Sequence, residues 1–281
     1  MSKKISELTA ATDVTASDLF QVVDIEDPAM ASSGTNKKVT AQTLGNYLPV
    51  RAFGSTTSRT LRERFGDTVN VKDFGAAGDG IQDDTSAIQA AIDRVNTLGG
   101  GIVYFPATSN FYAANQTFTI GNNTHLLGDG ADSSHIKWMS PPNPTIAYPT
   151  QSLADGRRGF INKNYTAGNS YITIEGLKLD FSLIVGAIAN ARQLIYFYNC
   201  DKTIVKNCHI MSDGGGICNV RTTNYLVSEN HFEQVGTYAS SDGMIDQWDG
   251  SQNGTIINNA LECKGLTNDV RVFYVRLSFL A

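Results

Sequence analysis

The chain lacks most of the features that place a function quickly. No apolar run is long enough to cross a bilayer, and the opening "MSKKISELTAATDV" contains no apolar stretch of signal-peptide length. Membrane insertion is therefore not expected, and synthesis in a cytoplasm is. Lysine and arginine number 22 against 27 acidic residues, for a formal charge of -5, and never form a block. A nucleic-acid partner, which needs a basic surface to meet phosphates, is excluded from the expectations on that ground. The four cysteines, Cys200, Cys208, Cys218 and Cys263, contain no CxxC pair, so they read as free, mostly buried thiols and not as a zinc site or disulfide framework. There is no GxSxG, and "LGGGIV" lacks the lysine and the strand-to-helix order of a phosphate loop. No cofactor and no metal are expected.

What is present is an ordinary folded composition, 41% hydrophobic and 17% charged over 281 residues, with texture that changes along the chain. Residues 1–49 alternate as two short strands, around Leu19 to Ile25 and Lys37 to Thr40, and then a short helix ending near Leu48. So small a unit buries too little surface to stand alone, and is expected to fold against a partner or copies of itself. Residues 50–69 read as a linker or docking strap, and from residue 70 glycine, asparagine and short β-branched runs dominate.

One stretch breaks that texture. In "NVKDFGAAGDGIQDDTSAIQAAID", Ile88, Ala91, Ile92, Val95 and Leu98 recur at helical spacing, and Gly99 to Gly101 stop the helix. Asp83 or Asp84 stands at the N-cap, where a carboxylate can accept from unpaired amides. A calcium loop does not fit the spacing. Asp79 with Gly80 reads as a turn.

Downstream, "ITIEGLKL", "IVKNCHI", "YLVSENHF" and "TIINNAL" share one pattern. Their last apolar anchors, Leu179, Ile210, Phe232 and Leu261, lie 31, 22 and 29 residues apart. This is the spacing of a coil of short parallel strands with loops inserted in some turns. Alternation sends Leu177, Cys208 and Asn230 inward with the anchors, and Lys178, His209 and His231 outward. The two histidines should stack one rung apart, roughly 5 Å, as a solvated outer column. The helix of residues 84–98 is placed to plug the open end of the coil.

The segment "VNVKDFGAAGDGIQDDTSAIQAAIDRVNTLGGGIVYFPA", residues 69–107, resembles the opening of the pectate-lyase-like superfamily. Together with "KISELTAATDV", "NKKVTAQTL" and "GSTTSRTLRERFGD" ahead of it, the chain resembles bacteriophage tail spikes and tail fibres. The resemblance implies a mainly β protein: a right-handed, single-stranded parallel β-helix with an N-terminal capping α-helix, after a small virion-attachment module. It implies a module at 1–49 that binds other phage tail proteins, a linker at 50–69, and a β-helix at 70–281, truncated or closed by a final strand in "LTNDVRVFYVRLSFLA". It implies a homotrimer, a place in the virion tail, and an outer face that binds and often cleaves host surface polysaccharide. The paired aspartates, Gly-His-Gly and Arg-Ile-Lys of polygalacturonases are absent, so no catalytic residue transfers by motif.

Glycan cleavage needs two carboxylates about 5–10 Å apart. The densest supply is "EQVGTYASSDGMIDQWDGSQNG", where Glu233, Asp242, Asp246 and Asp249 accompany Tyr238 and Trp248. Alternation puts Asp246 and Trp248 on one face, with Ile245 and Gln247 on the other. The candidates are Asp246 with Asp242 or Glu233 as acid and base, and Trp248, Tyr238 and Asp249 in substrate binding. Tyr196 and Tyr198, on one face of "LIYFYNCD", read as an exposed pair that either extends the groove or makes a trimer contact. The alternative function is a fibre of the same architecture without enzymatic activity.

Overall fold

The computed structural model describes residues 19–24, 35–40, 46, 48–140, 158–184, 193–213, 215–235, 244–248, 250–264 and 274–275. The chain divides into two compact units, Met1–Asp67 and Thr68–Ala281. In the first, Leu19–Asp24 pairs antiparallel with Thr35–Thr40, close to where the alternation places two strands. The helix expected before Leu48 falls largely outside the described residues. Residues 50–69 hold regular structure where the composition suggests a linker. Pro49–Val50 pairs antiparallel with Arg59–Thr60, and a short helix, α1 (Leu61–Phe65), follows. A reciprocal cap makes so short a helix viable: Thr60 Oγ1 accepts from the Glu63 amide, and the Glu63 carboxylate accepts from the Thr60 amide at 2.7 Å.

The second unit is a parallel β-helix of six rungs, each giving one strand to each of three sheets. Sheet 1 starts with Thr68–Asn70 and continues through Gly101–Phe105, Thr124–Gly128, Ser170–Glu175, Asp201–Lys206, Leu226–Ser228 and Thr255–Ile257. Sheet 2 stacks Tyr112–Ala114, His135–Trp138, Lys178–Phe181, His209–Ser212, His231–Val235 and Ala260–Lys264. Sheet 3 stacks Phe118–Ile120, Arg158–Asn162, Gln193–Tyr198, Gly215–Val220, Ile245–Trp248 and Tyr274–Val275. Leu179, Ile210, Phe232 and Leu261 are in register across successive rungs. The unequal spacings of those anchors are therefore whole turns of the coil with loops of different length. Phe118, Trp138, Phe160 and Phe181 pack edge-on and tilted inside it, each excluded from solvent. Buried aromatic area of this kind is the main favourable term for a core.

The frequent asparagines and glycines have a geometric cause. Between sheets 1 and 2 four successive rungs each turn through one left-handed residue: Gly176 (φ 66°), Asn207 (φ 53°), Glu229 (φ 56°) and Asn258 (φ 56°). A side chain normally disfavours that region, and glycine and asparagine tolerate it best. The next residue points inward. Asn230 Oδ1 accepts from the Cys208 amide and Asn259 Oδ1 from the Asn230 amide, each at 3.0 Å. These inward amides tie one rung to the next.

The helix expected at the open end is α2, Thr85–Thr97. Ile88, Ala91, Ile92 and Val95 are wholly buried in the core, but Leu98 is exposed. Leu98 is already the C-cap residue, and the chain leaves through Gly99, Gly100 and Gly101, all at positive φ, so the helical face does not extend to it. The capping expectation needs a similar correction. Asp84 occupies the N-cap position but makes no side-chain bond to the helix. Its buried carboxylate turns back instead and accepts from the amides of Ala77 at 2.7 Å and Gly78 at 3.1 Å. Asp83 accepts from the Thr85 amide at 3.0 Å. Asp79 accepts from Ile81 and Gln82, which is the turn role its setting suggests.

Glu229 is the one corner residue of its column that is neither glycine nor asparagine. Replacing it, Glu229→Asn, should relieve about 1 kcal/mol of backbone strain and raise the midpoint of thermal unfolding by about 2–4 °C. A midpoint that stays level or falls would show that the corner carries no such strain.

Candidate functional site

The outward residues of sheet 2 form two columns. His135, Lys178, His209 and His231 stand in one register, and Lys137, Asp180, Met211, Glu233 and Glu262 in the next. The columns are joined diagonally, each histidine reaching a carboxylate of the following rung. His135 Nε2 is 3.3 Å from Asp180, His209 Nε2 is 3.0 Å from Glu233, and His231 Nε2 is 3.4 Å from Glu262. The fourth histidine of the chain repeats the device on sheet 1, where His125 is 3.0 Å from Glu175, itself 3.0 Å from Lys206 Nζ. A parallel coil makes this pattern recur, because each position of one rung lies over the same position of the last.

His209 and His231 stack as their register requires, with ring centroids 4.6 Å apart and planes within 5°. Burial lowers the His209 pKa, and the neighbouring His231 adds to the depression against the opposing pull of Glu233. His209 Nε2 lies within hydrogen-bond distance of Glu233 Oε2, and a neutral imidazole protonated on that nitrogen donates to it. Asp180 shows the opposite balance. Burial would raise its carboxyl pKa, but hydrogen bonds from His135 and Ser182 and the charge of Lys137 hold it well below the usual range.

Of the residues singled out in the sequence, Glu233 belongs to this face. Asp246 does not. It lies on sheet 3, in register with Cys218, and is 0% exposed. The alternation is as expected, with Ile245 inside the coil, but the outer face of sheet 3 is itself covered. Tyr196 and Tyr198 share that face and are 4% and 8% exposed, so the expected exposed pair is corrected to a packed one. Their cluster includes Ile161, Tyr165, Cys218 and Val220. Tyr165 stacks on Tyr198 at 3.8 Å, and the Arg158 guanidinium sits 3.5 Å over the Tyr196 ring. Tyr238, Asp242 and Asp249 lie outside the described residues; Trp248 ends a strand opposite Val220, and its side chain also lies outside them.

Asp180 and Glu262 were not among the sequence candidates. Their signal is the residue immediately after each apolar anchor, which reads Asp180, Met211, Glu233 and Glu262 in successive rungs. Among the described residues no cluster of three or more His, Cys, Asp or Glu forms a metal site. Cys200, Cys208 and Cys218 are buried free thiols. Burial pushes Cys200 and Cys208 up to about 12, far from a reactive thiolate.

The rhamnogalacturonase A/epimerase, pectate lyase-like family matches residues 68–269. The chain belongs to that family. Mannuronan C5-epimerase AlgE1 of Azotobacter vinelandii is 48% identical over 75 residues, which is 25% of this chain and 5% of the epimerase. Alginate lyase 7 of the same organism is 38% identical over 112 residues, 38% of this chain and 12% of the lyase. The chain thus matches only a small part of either relative. Among solved structures, a tailspike protein of E. coli bacteriophage HK620, in complex with a pentasaccharide, superimposes with a TM-score of 0.61 at 16% identity. The match covers 77% of this chain and 39% of that one, and the likeness is one of fold.

The His209 shift sets a pH window. Its folded pKa lies below the unfolded value of about 6.5, so the unfolded chain takes up the proton first as pH falls. Stability from this group is complete above about pH 7 and declines as pH drops below 6.5. The decline in thermal midpoint between about pH 7 and 5 should be shallower in His209→Gln. Parallel curves for the two proteins would contradict the assignment.

Proposed function

We propose that this chain is a phage tail spike whose β-helix binds host surface polysaccharide along the outer face of sheet 2 and cleaves it there. The observation that carries the reading is the pair Glu233 and Glu262. They are in register on adjacent rungs, so their backbones lie roughly 4.8 Å apart. That is near the separation at which two carboxylates serve as acid and nucleophile on one glycosidic bond. Each is oriented by a histidine of the rung before it, His209 for Glu233 and His231 for Glu262. Asp246 is set aside as a partner because it lies on sheet 3, away from both glutamates.

In this reading Glu233, held by the His209 N–H, attacks the anomeric carbon or activates water there, while Glu262, the more exposed of the two, protonates the leaving oxygen. The stacked imidazoles keep both carboxylates fixed while the glycan lies across the rungs. Residues 1–49 bind other tail proteins, three copies assemble, and the finished spike, made in the host cytoplasm, resides in the virion. The polysaccharide-acting relatives and the saccharide-bound tailspike support carbohydrate as the ligand class.

Reducing ends released from capsule or lipopolysaccharide preparations test the chemistry. Glu233→Gln and Glu262→Gln should each lower release by about 10²-fold or more while leaving binding to the polymer intact. Unchanged release in both variants would remove the site; binding without release by the parent chain would favour a fibre that only adheres. Light scattering on the full chain tests the assembly, where a mass of three times 30.3 kDa is expected and a monomer would refute the trimer.

A further inference from the structure

At the corner between sheets 3 and 1, on the side of the coil away from the histidine face, lies a cleft of about 700 Å³. Its walls come from the end of α2 and from the turns that lead into the sheet 1 strands Thr124–Gly128 and Ser170–Glu175. Asn96, Asn122, Asn123, Lys163, Asn164 and Tyr165 line it. The volume is that of a small-ligand site, and the polar lining is dominated by amides.

The orientation of these amides is decided by backbone groups. Asn96 Oδ1 accepts from the Gly121 amide at 3.1 Å, Asn122 Oδ1 from the Ser170 amide at 2.9 Å, and Asn164 Oδ1 from the Ala167 amide at 3.0 Å. A backbone N–H can only donate, so in all three the oxygen is committed and the Nδ2 donor remains. Asn96 Nδ2 is buried and has no partner, so it lies behind the wall and is not presented to the cleft. Asn123 is reversed, since its Nδ2 donates to the Gly99 carbonyl at 3.0 Å. Lys163 adds a cation, held only loosely by Asp93 at 3.6 Å with both groups about half exposed. The cleft therefore offers two amide donors, those of Asn122 and Asn164, and an ammonium against one amide acceptor. A ligand that satisfies it is rich in acceptors and carries negative charge, yet retains a hydroxyl for Asn123.

We propose that this cleft is a second saccharide site, selective for a sugar residue bearing a carboxylate and independent of the sheet 2 face. The choice of a saccharide rests on the function proposed above; the preference for an anion rests on the cleft alone. Glucuronate and glucose differ only in a C6 carboxylate and so isolate that preference. Saturation-transfer NMR and calorimetry on the full chain should show glucuronate binding and little or no glucose binding. Lys163→Met removes the cation from an exposed position. Asn164→Asp keeps the acceptor for the Ala167 amide while replacing the donor by a negative charge. Each should weaken glucuronate binding roughly tenfold or more, as expected for a charge-assisted bond. Glu233→Gln should leave glucuronate binding unchanged, so the result reads separately from any failure of the cleavage site. Equal binding of glucose, unchanged binding in both cleft variants, or loss in Glu233→Gln would each overturn the proposal.

Discussion

The strands of each rung pair with those of the neighbouring rungs, so in-register stacking is the constraint on which everything else depends. Stacking requires an apolar residue at the same inward position in successive turns, which Leu179, Ile210 and Phe232 supply. It also requires the chain to bend at the same point in each turn, which the left-handed residues at 176, 207, 229 and 258 supply. A slip by one residue would turn the core column to solvent and the charged column inward. The inward Asn230 and Asn259 guard against that slip, because their side chains find backbone amides only at the native offset.

The same constraint builds the surface. Because like positions stack, a histidine on one rung meets a carboxylate on the next, and the device appears on sheets 1 and 2 alike. The result is a face in which charge is organised in pairs and not spread as a field of one sign. Such a face holds its titratable groups in fixed positions relative to one another, more firmly than a loop would.

Much of the architecture was legible in the chain. The anchors at 179, 210, 232 and 261, the outward histidine stack and the plugging helix follow from periodicity, since side-chain alternation is a local property of a strand. The turn at Asp79 and the buried cysteines were legible for similar reasons. The site was legible only in part. Glu233 was among the candidates, but its partners His209 and Glu262 lie 24 and 29 residues away along the chain, and only the loop lengths of the intervening rungs decide that they meet. Asp246 and the tyrosines at 196 and 198 occupy the faces that alternation assigns them. Their burial depends on what covers the outside of sheet 3, which no local pattern records.

Composition and periodicity by themselves determined a stacked coil with a helical cap, because each is set by neighbours within a few residues. The tertiary structure decided which carboxylates face a histidine and which are sealed away. It also decided that the Asp84 carboxylate turns back to tie down a loop while Asp83 accepts from the first helical amide, and that asparagines from three separate segments line one cleft. Those outcomes depend on contacts between residues on different rungs and loops, where the position of a side chain is fixed by a partner many residues distant.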